Sequence, residues 1–411
     1  MKTTQRVNGS GAAAHQPRSL LTKAVAIALA VTTFASVVQP AMAGQREQAK
    51  RMYDRLTGTP PSPAVLDQLD TYLQSHTLKE TALFLVDNSA DARSANFYSV
   101  TLKNFATPWT NRDQNVFAPL NDYTATVIGM VRDNKDFRGL LSDDIVYVGN
   151  GVSPAYSATD NSHYDTLEST SADLRTVLVE RTQSSMNGLP PDATAGVITS
   201  RAASEAFFID GTNRAMFRFT LLNHLCRDME QVHDTTRPPD RIRQDVTRSP
   251  GGDSSVFLNN CIGCHSGMDP MAQAFAYYDF DETVGRLVYT PGVVQKKYQI
   301  NTDNFKPGFA TPDDHWENRW RLPGQNTLIG WEGQDGTIRG GVGAKSLGQE
   351  LAHSEAFSQC QVDKVFRAVC LRSPADDTDR GKRDQILASF KASGYHLKDA
   401  FAETAAYCAG Q

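Results

Sequence analysis

The sequence predicts a mainly α-helical protein, and three features lead to this class. Apolar residues recur every three or four positions in the first part of the chain, as on the buried face of a helix. The same period returns near the C-terminus, and a cysteine-containing segment between the two also has helical spacing. We expect a helical N-terminal domain at residues 44–235, a central domain at 236–354, and a C-terminal helical unit at 355–411 that packs on the central domain.

The first 43 residues have the features of a signal peptide. An apolar run from residue 24 to about 38 follows a basic leader, and Ala41-Met42-Ala43 fits the small-x-small pattern of signal peptidase. Cleavage after Ala43 makes Gly44 the first mature residue and places the protein in the bacterial periplasm. The run is short for a membrane span, and a retained N-terminal anchor is the alternative. The bases of the leader are Lys2, Arg6, Arg18 and Lys23.

The charge of the chain argues against two classes of partner. The formal net charge is -5, and removal of a leader with four bases and no acids takes it to -9. Such an acidic protein is a poor ligand for nucleic acid or for an anionic membrane. No later segment is typical of a transmembrane helix, so we expect no membrane span in the mature chain.

Apolar periodicity predicts the helices of the N-terminal domain. Pro63 begins the first, whose buried face comprises Val65, Leu66, Leu69 and Leu73. The second lies around residues 83–85, and the third covers residues 116–131. Helix is also expected over residues 201–230, with a buried stripe of Leu222, Leu225, Cys226 and Met229. No metal triad, phosphate-binding glycine loop or nucleophile elbow occurs here, so the domain is expected to be a scaffold.

The central domain follows the helix-breaking Pro238-Pro239 and contains the motif Cys261-Ile262-Gly263-Cys264-His265. Two cysteines separated by two residues and followed at once by a histidine form the attachment site of a c-type haem. Each thiol adds to one vinyl group of the porphyrin, and the adjacent histidine can then bind the iron. A zinc site is disfavoured, because the sequence contains no second ligand pair of this kind. We therefore predict one covalent haem c on Cys261 and Cys264, with His265 as an axial ligand.

The residues after the motif predict how the domain continues. Gly267 suits the end of the haem-bearing helix, and Asp269-Pro270 suits the start of a new one. The large side chains of this new helix are Met271, Phe275, Tyr277, Tyr278 and Phe280. Residues 286–343 are rich in glycine and proline, and a short hairpin is expected at residues 288–300. The tryptophans expected to cover the haem are Trp316, Trp320 and Trp331.

The C-terminal unit is predicted to contain three helices and to take part in two disulfides. The apolar stripe of the first helix comprises Val362, Val365, Phe366, Val369 and Cys370, and further helices lie near residues 376–393 and 397–407. Four cysteines remain after haem attachment, and an even number in an oxidising compartment predicts two bridges. Cys360 and Cys370 are about 15 Å apart on one helix, too far to be joined. An up-down-up arrangement favours Cys370–Cys408, which leaves Cys226–Cys360.

Several residues are candidates for the second axial ligand of the iron. Met268 and Met271, the last methionines of the chain, fall on the side of the haem that His265 occupies. Met229 is preferred, because a disulfide to the C-terminal unit would hold it near the haem, and His353 comes next. Met229 is also compatible with a plain core position, and an open sixth position is a further alternative. The remaining candidates are Met216, His224, His233, His315 and His396.

From about residue 201 to the C-terminus the chain resembles a group of exported bacterial cytochrome c-like proteins. Their C-terminal modules are known mostly as domains of unknown function. The matching segments are Leu222 to Cys226, Pro238-Pro239, Phe257 to His265, Met268-Asp269-Pro270, Tyr278-Asp279-Phe280, Gly285-Arg286, Phe357-x-x-Cys360-x-Val362 and Val365-Phe366-Arg367. The resemblance implies haem binding and electron transfer through Cys261, Cys264 and His265. It implies no substrate.

Together these features predict a periplasmic mono-haem cytochrome that carries electrons to or from a periplasmic redox partner protein. An acidic surface is compatible with docking to a basic partner. One alternative is a haem peroxidase or oxygenase with an open iron site, which would need a distal acid-base residue. The other is a haem-bearing subunit of a larger redox complex.

Overall fold

The structure is a computed structural model that describes residues 44–410, except for 302, 305, 325 and 326. The predicted signal peptide and its cleavage site after Ala43 lie outside the described residues. The described part of the chain is 55% helical with few, short strands, which confirms the mainly α class. Among the described residues no helix has the length and apolar character that crossing a membrane requires.

The N-terminal helices are α1 (Gln45–Thr57), α2 (Pro63–Leu73), α3 (Leu78–Asp87), α4 (Lys103–Ala106) and α5 (Asp122–Arg132). The α2 helix begins at Pro63 as predicted, and the hydroxyl of Ser62 caps it by accepting from Val65 N at 3.3 Å. The prediction of a helix from residue 116 is wrong by six residues. Asn121 caps α5 by accepting from Thr124 N at 3.0 Å, so the chain before it is a loop.

Short helices fill the middle of the chain: α6 (Ser162–Ser169), α7 (Leu174–Val177), α8 (Gln183–Asn187), α9 (Arg201–Phe207) and α10 (Arg214–Thr220). The α10 helix continues as a wider, π-helical turn over Leu221–Leu225 and stops at Cys226, whose φ of 52° is left-handed. The helix predicted to reach residue 230 therefore ends earlier. Met229 lies in the turn that follows and not on a helical stripe.

Three antiparallel two-stranded sheets accompany the helices in the described part of the chain. The first joins β1 (Val146–Gly149) to β2 (Leu178–Arg181). The second joins β3 (Tyr278–Asp281) to β4 (Arg286–Tyr289), and the third joins β5 (His315–Asn318) to β6 (Arg339–Val342). The predictions of a helix through Phe280 and of a hairpin at residues 288–300 are wrong. Tyr278 pairs with Tyr289, and Gly285 supplies the positive φ of 78° that the turn needs.

The haem motif lies on α11 (Ser254–Val256), a π-helical turn over Phe257–Cys261, and α12 (Ile262–Ala272). The C-terminal helices are α13 (Gly343–Ala352), α14 (Glu355–Cys370), α15 (Asp377–Ala392) and α16 (Leu397–Ala409). Disulfides join Cys370 to Cys408 and Cys226 to Cys360, with Cα atoms 5.6 and 5.3 Å apart. These are the two pairs that the sequence predicted.

The C-terminal unit contacts both of the segments that precede it. The Phe401 ring of α16 meets the Phe97 ring edge-on, with centroids 5.3 Å apart. Lys398 on the same helix lies 3.1 Å from the Asp87 carboxylate at the end of α3. Toward the central segment, Glu355 N donates to the carbonyl of Gly330 at 2.7 Å. The Cys370–Cys408 disulfide joins two helices within this unit. The Cys226–Cys360 disulfide joins the unit to the turn before Met229.

Candidate haem-attachment site

The three residues of the predicted haem site share one side of a helix. Cys261, Cys264 and His265 follow the i, i+3, i+4 spacing that puts side chains on a common helical face. Both cysteines are unpaired and partly exposed, and the His265 side chain is 22% exposed. The residues just before them, 258–260, are exposed. Both thiols and the imidazole are thus in contact with solvent.

Two glycines let large rings approach the other side of α12. A Cβ atom on Gly263 would lie 2.1 Å from His233 Nε2, and one on Gly267 would lie 2.1 Å from Trp320 Nε1. The prediction that Gly267 ends the haem helix is therefore wrong, because this glycine permits close packing inside a helix that continues to Ala272. His233 and Trp320 support the helix from behind.

A buried carboxylate holds the histidine of the motif. Asp269 stands one helical turn after His265, and its Oδ1 lies 3.2 Å from His265 Nδ1. The Asp269 side chain is fully buried. The sequence predicted this residue to cap a new helix, which is wrong, because α12 runs through it and its carboxylate faces His265 and two arginines.

Arg214 and Arg243 surround the same carboxylate. Arg214 donates from Nε and Nη2 to the two oxygens of Asp269 at 2.7 and 2.9 Å, and Arg243 donates its backbone N–H at 3.1 Å. The Arg243 guanidinium lies 3.6 Å away and is almost fully buried. Burial alone would raise the pKa of Asp269, but Arg214 and Arg243 hold it well below its usual range. Asp269 is therefore ionised.

An ionised partner at Nδ1 selects one form of the imidazole. Since a carboxylate only accepts hydrogen bonds, His265 must carry its proton on Nδ1. Nε2 then keeps a free lone pair on the exposed part of the ring. Histidine ligands of metals commonly have their second nitrogen held in this way, which fixes the ring and raises its basicity as a ligand.

The surroundings of the thiols differ from those of a structural zinc site. Burial raises the pKa of Cys264, and the negative charges of Glu230 and Asp228 raise it further. A zinc site needs thiolates and a closed set of ligands. Within the described ranges no group of three or more His, Cys, Asp or Glu side chains is placed to hold a metal ion.

The structure places Met229 next to the motif. The Cys264 thiol lies 3.5 Å from the carbonyl oxygen of Met229, and the Met229 side chain is 8% exposed. His353 is exposed at the end of α13, where its Nδ1 lies 2.8 Å from the carbonyl of Gln349 on its own helix. Both residues remain predicted candidates for the second axial position.

The tryptophans expected to cover the haem are buried in the protein core. Their exposed fractions are 4% for Trp316, 1% for Trp320 and 6% for Trp331. Trp316 donates its indole N–H to Ser346 at 2.8 Å, and the Arg321 guanidinium stands over the Trp331 ring at 5.7 Å. Trp320 lies against α12, on the side of the two glycines.

The sequence patterns did not predict which residues hold His265 in place. The i+4 spacing from His265 to Asp269 was a usable signal, since it puts both side chains on one helical face. Arg214 and Arg243 are 55 and 26 residues away from Asp269 in the sequence, and nothing local indicates them.

Comparison of the chain with protein-family models, with curated proteins and with solved structures finds no match.

Proposed function

We propose that the protein is a mono-haem c-type cytochrome of the bacterial periplasm that transfers electrons. The observation that carries the proposal is the common face of two unpaired cysteines and a histidine whose Nδ1 is held by a buried carboxylate. A bound haem would supply one-electron chemistry through its iron. Cys261 and Cys264 would hold it by thioether bonds, and His265 Nε2 would bind the metal.

The surroundings of His265 have a defined task in this proposal. Asp269 orients the ring and, in the neutral imidazole, holds the proton on Nδ1, which leaves the lone pair of Nε2 for the iron. Arg214 and Arg243 neutralise the carboxylate and prevent it from swinging away, because each holds it from a different element of the fold. Met229, beside Cys264, is the first candidate for the second axial ligand and His353 is the other.

The proposed partner is a periplasmic redox protein with a basic docking surface. Removal of the predicted signal peptide takes away four basic residues and no acidic ones, so the formal charge changes from -5 to -9. Long-range attraction between opposite charges speeds the encounter of such proteins. Association that slows strongly with added salt is the expected behaviour.

The test is expression with the native leader in a bacterium that matures c-type cytochromes. We expect periplasmic protein whose haem remains attached in denaturing gels and whose alkaline pyridine spectrum is that of a haem with two thioether bonds. Cys261→Ser and Cys264→Ser should each change that spectrum, and the double variant should lose the pigment. Colourless wild-type protein, or pigment that acid acetone extracts, would refute the proposal.

A second candidate function is a haem peroxidase or oxygenase with an open sixth position. The contact between His265 and the ionised Asp269 favours it, because a more basic axial ligand stabilises higher oxidation states of iron. Rapid binding of carbon monoxide by the reduced protein would support this candidate. An absorption spectrum that does not change when carbon monoxide is added would support the electron carrier. In that case Met229→Leu should allow carbon monoxide to bind the iron.

A haem-bearing subunit of a larger redox complex is the remaining alternative. Copurification of a partner at constant ratio through gel filtration would support it.

A further inference from the structure

An open cleft of about 510 Å³ lies on a part of the surface that contains none of the haem motif. Its lining comes from α4 and the segment after it, the loop before α5, the turns on both sides of Cys226, and α14. The lining residues are Phe105, Pro108, Trp109, Gln114, Leu222, Cys226, Gln231, Lys364 and Arg367. The volume is in the range of sites for small ligands.

Asn223, almost fully buried, ties three walls of this cleft together. Its backbone carbonyl accepts from Lys364 Nζ at 2.5 Å, and its side-chain oxygen accepts from Gln114 at 2.8 Å. Its amide donates to the carbonyl of Trp109 at 3.0 Å. The disulfide between Cys226 and Cys360 closes the same region. The polar groups of the cleft are thus held in place before any ligand arrives.

The charges in the cleft are all of one sign. Lys364 and Arg367 stand one helical turn apart on α14, and the lining contains no aspartate or glutamate. Lys364 donates to the carbonyl of Asn223, and Arg367 is exposed. Burial lowers the pKa of Lys364 well below its usual range, and the charge of Arg367 lowers it further. An anion between the two would relieve both effects.

The apolar part of the cleft is aromatic. Lys364 Nζ lies 4.3 Å from the centroid of the Trp109 ring, and the Trp109 and Phe105 rings meet edge-on with centroids 4.9 Å apart. Trp109 and Phe105 are only 3% and 9% exposed, and Lys364 covers one face of the Trp109 ring, so the pair presents a small apolar area to the cleft.

We propose that this cleft binds a small aromatic carboxylate, with its carboxylate on Lys364 and Arg367 and its ring beside the small exposed parts of Trp109 and Phe105. The site does not depend on the haem, because Cys261, Cys264 and His265 take no part in its lining.

The test is calorimetric titration of the complete exported protein with benzoate, and with benzyl alcohol as the neutral analogue of the same shape. We expect saturable heat with benzoate and none with the alcohol. Arg367→Gln should weaken benzoate binding about tenfold or more, because it removes one charged hydrogen-bond donor. Arg181→Gln, which removes an exposed arginine outside the cleft, should leave the affinity unchanged.

The affinity of Lys364→Met for benzoate gives a second measurement. Circular dichroism verifies that this variant is folded. Absence of saturable heat with millimolar benzoate on the wild-type protein would overturn the proposal. Equal affinity of the wild type and Arg367→Gln would overturn it as well, as would binding of benzyl alcohol with the affinity of benzoate. The haem spectrum is recorded separately, so failure of this site is distinguishable from failure of the proposed function.

Discussion

Replacement of Asp269 by asparagine is the sharpest perturbation of the site. The two side chains have nearly the same shape, so Asp269→Asn removes the charge with little change in packing. The carboxylate accepts from Arg214 twice, from the Arg243 backbone once, and from His265. An asparagine offers one oxygen, and its NH₂ group would face donors that need an acceptor.

The expected loss of unfolding free energy depends on the contacts that Arg214 and Arg243 keep after the substitution. Arg214 keeps a second partner, because it also pairs with Asp245. Arg243 has 1% of its side chain exposed and would keep the Tyr298 ring 4.7 Å away, the carbonyl of Thr212 and a weaker attraction to Asp245. Removal of one member of a buried ion pair costs about 3–5 kcal/mol of unfolding free energy. We expect that range here.

Urea unfolding followed by far-UV circular dichroism measures the change. The matched control is Asp228→Asn, which breaks a bidentate pair with Arg218 in which both side chains are substantially exposed. The control should cost about 0–1 kcal/mol. A loss for Asp269→Asn no larger than that of the control would refute the reasoning. In the haem-loaded protein the reduction potential should also rise, because His265 becomes a weaker donor to the iron.

Three further predictions concern the rest of the chain. Gly267→Ala should destabilise by about 1–3 kcal/mol, since its Cβ would lie 2.1 Å from the buried Trp320 ring, whereas Gly381→Ala on α15, with open space around it, should stabilise by about 1 kcal/mol. Thermal and urea unfolding of the two variants should move in opposite directions. Removing Cys226–Cys360, with a separation of 134 residues, should cost about 5 kcal/mol by loop entropy. Removing Cys370–Cys408, with a separation of 38, should cost about 4 kcal/mol, and the reverse order in urea unfolding would contradict the loop argument. Burial lowers the pKa of His224 well below 6.5, so below that pH the unfolded chain binds a proton that the folded chain does not. Stability should therefore fall there by about 1.4 kcal/mol per pH unit, and His224→Gln should lose this slope while exposed His353→Gln keeps it.

Patterns of a few residues were sufficient for several features of the molecule. The helical class and the start of α2 at Pro63 follow from apolar period and a proline at the first turn, which act within one or two turns. The exclusion of Cys360–Cys370 also needs only the rise of a helix. The errors have different causes. At Gly267 the contact with Trp320, 53 residues away, overrides the helix-ending preference of glycine. At Phe280 the pairing of β3 with β4 replaces the predicted helix.

The sequence by itself determined that two thiols and an imidazole lie on one helical face, because the helix repeat converts their spacing directly into direction. Only the tertiary structure decided what holds that imidazole, since Arg214 and Arg243 reach Asp269 from segments that no local pattern connects to it. The cleft also exists only in the tertiary structure, because Trp109, Asn223 and Lys364 are each separated by more than a hundred residues of chain. Short-range geometry is written in the order of residues, whereas burial and charge pairing exist only after distant segments have packed together.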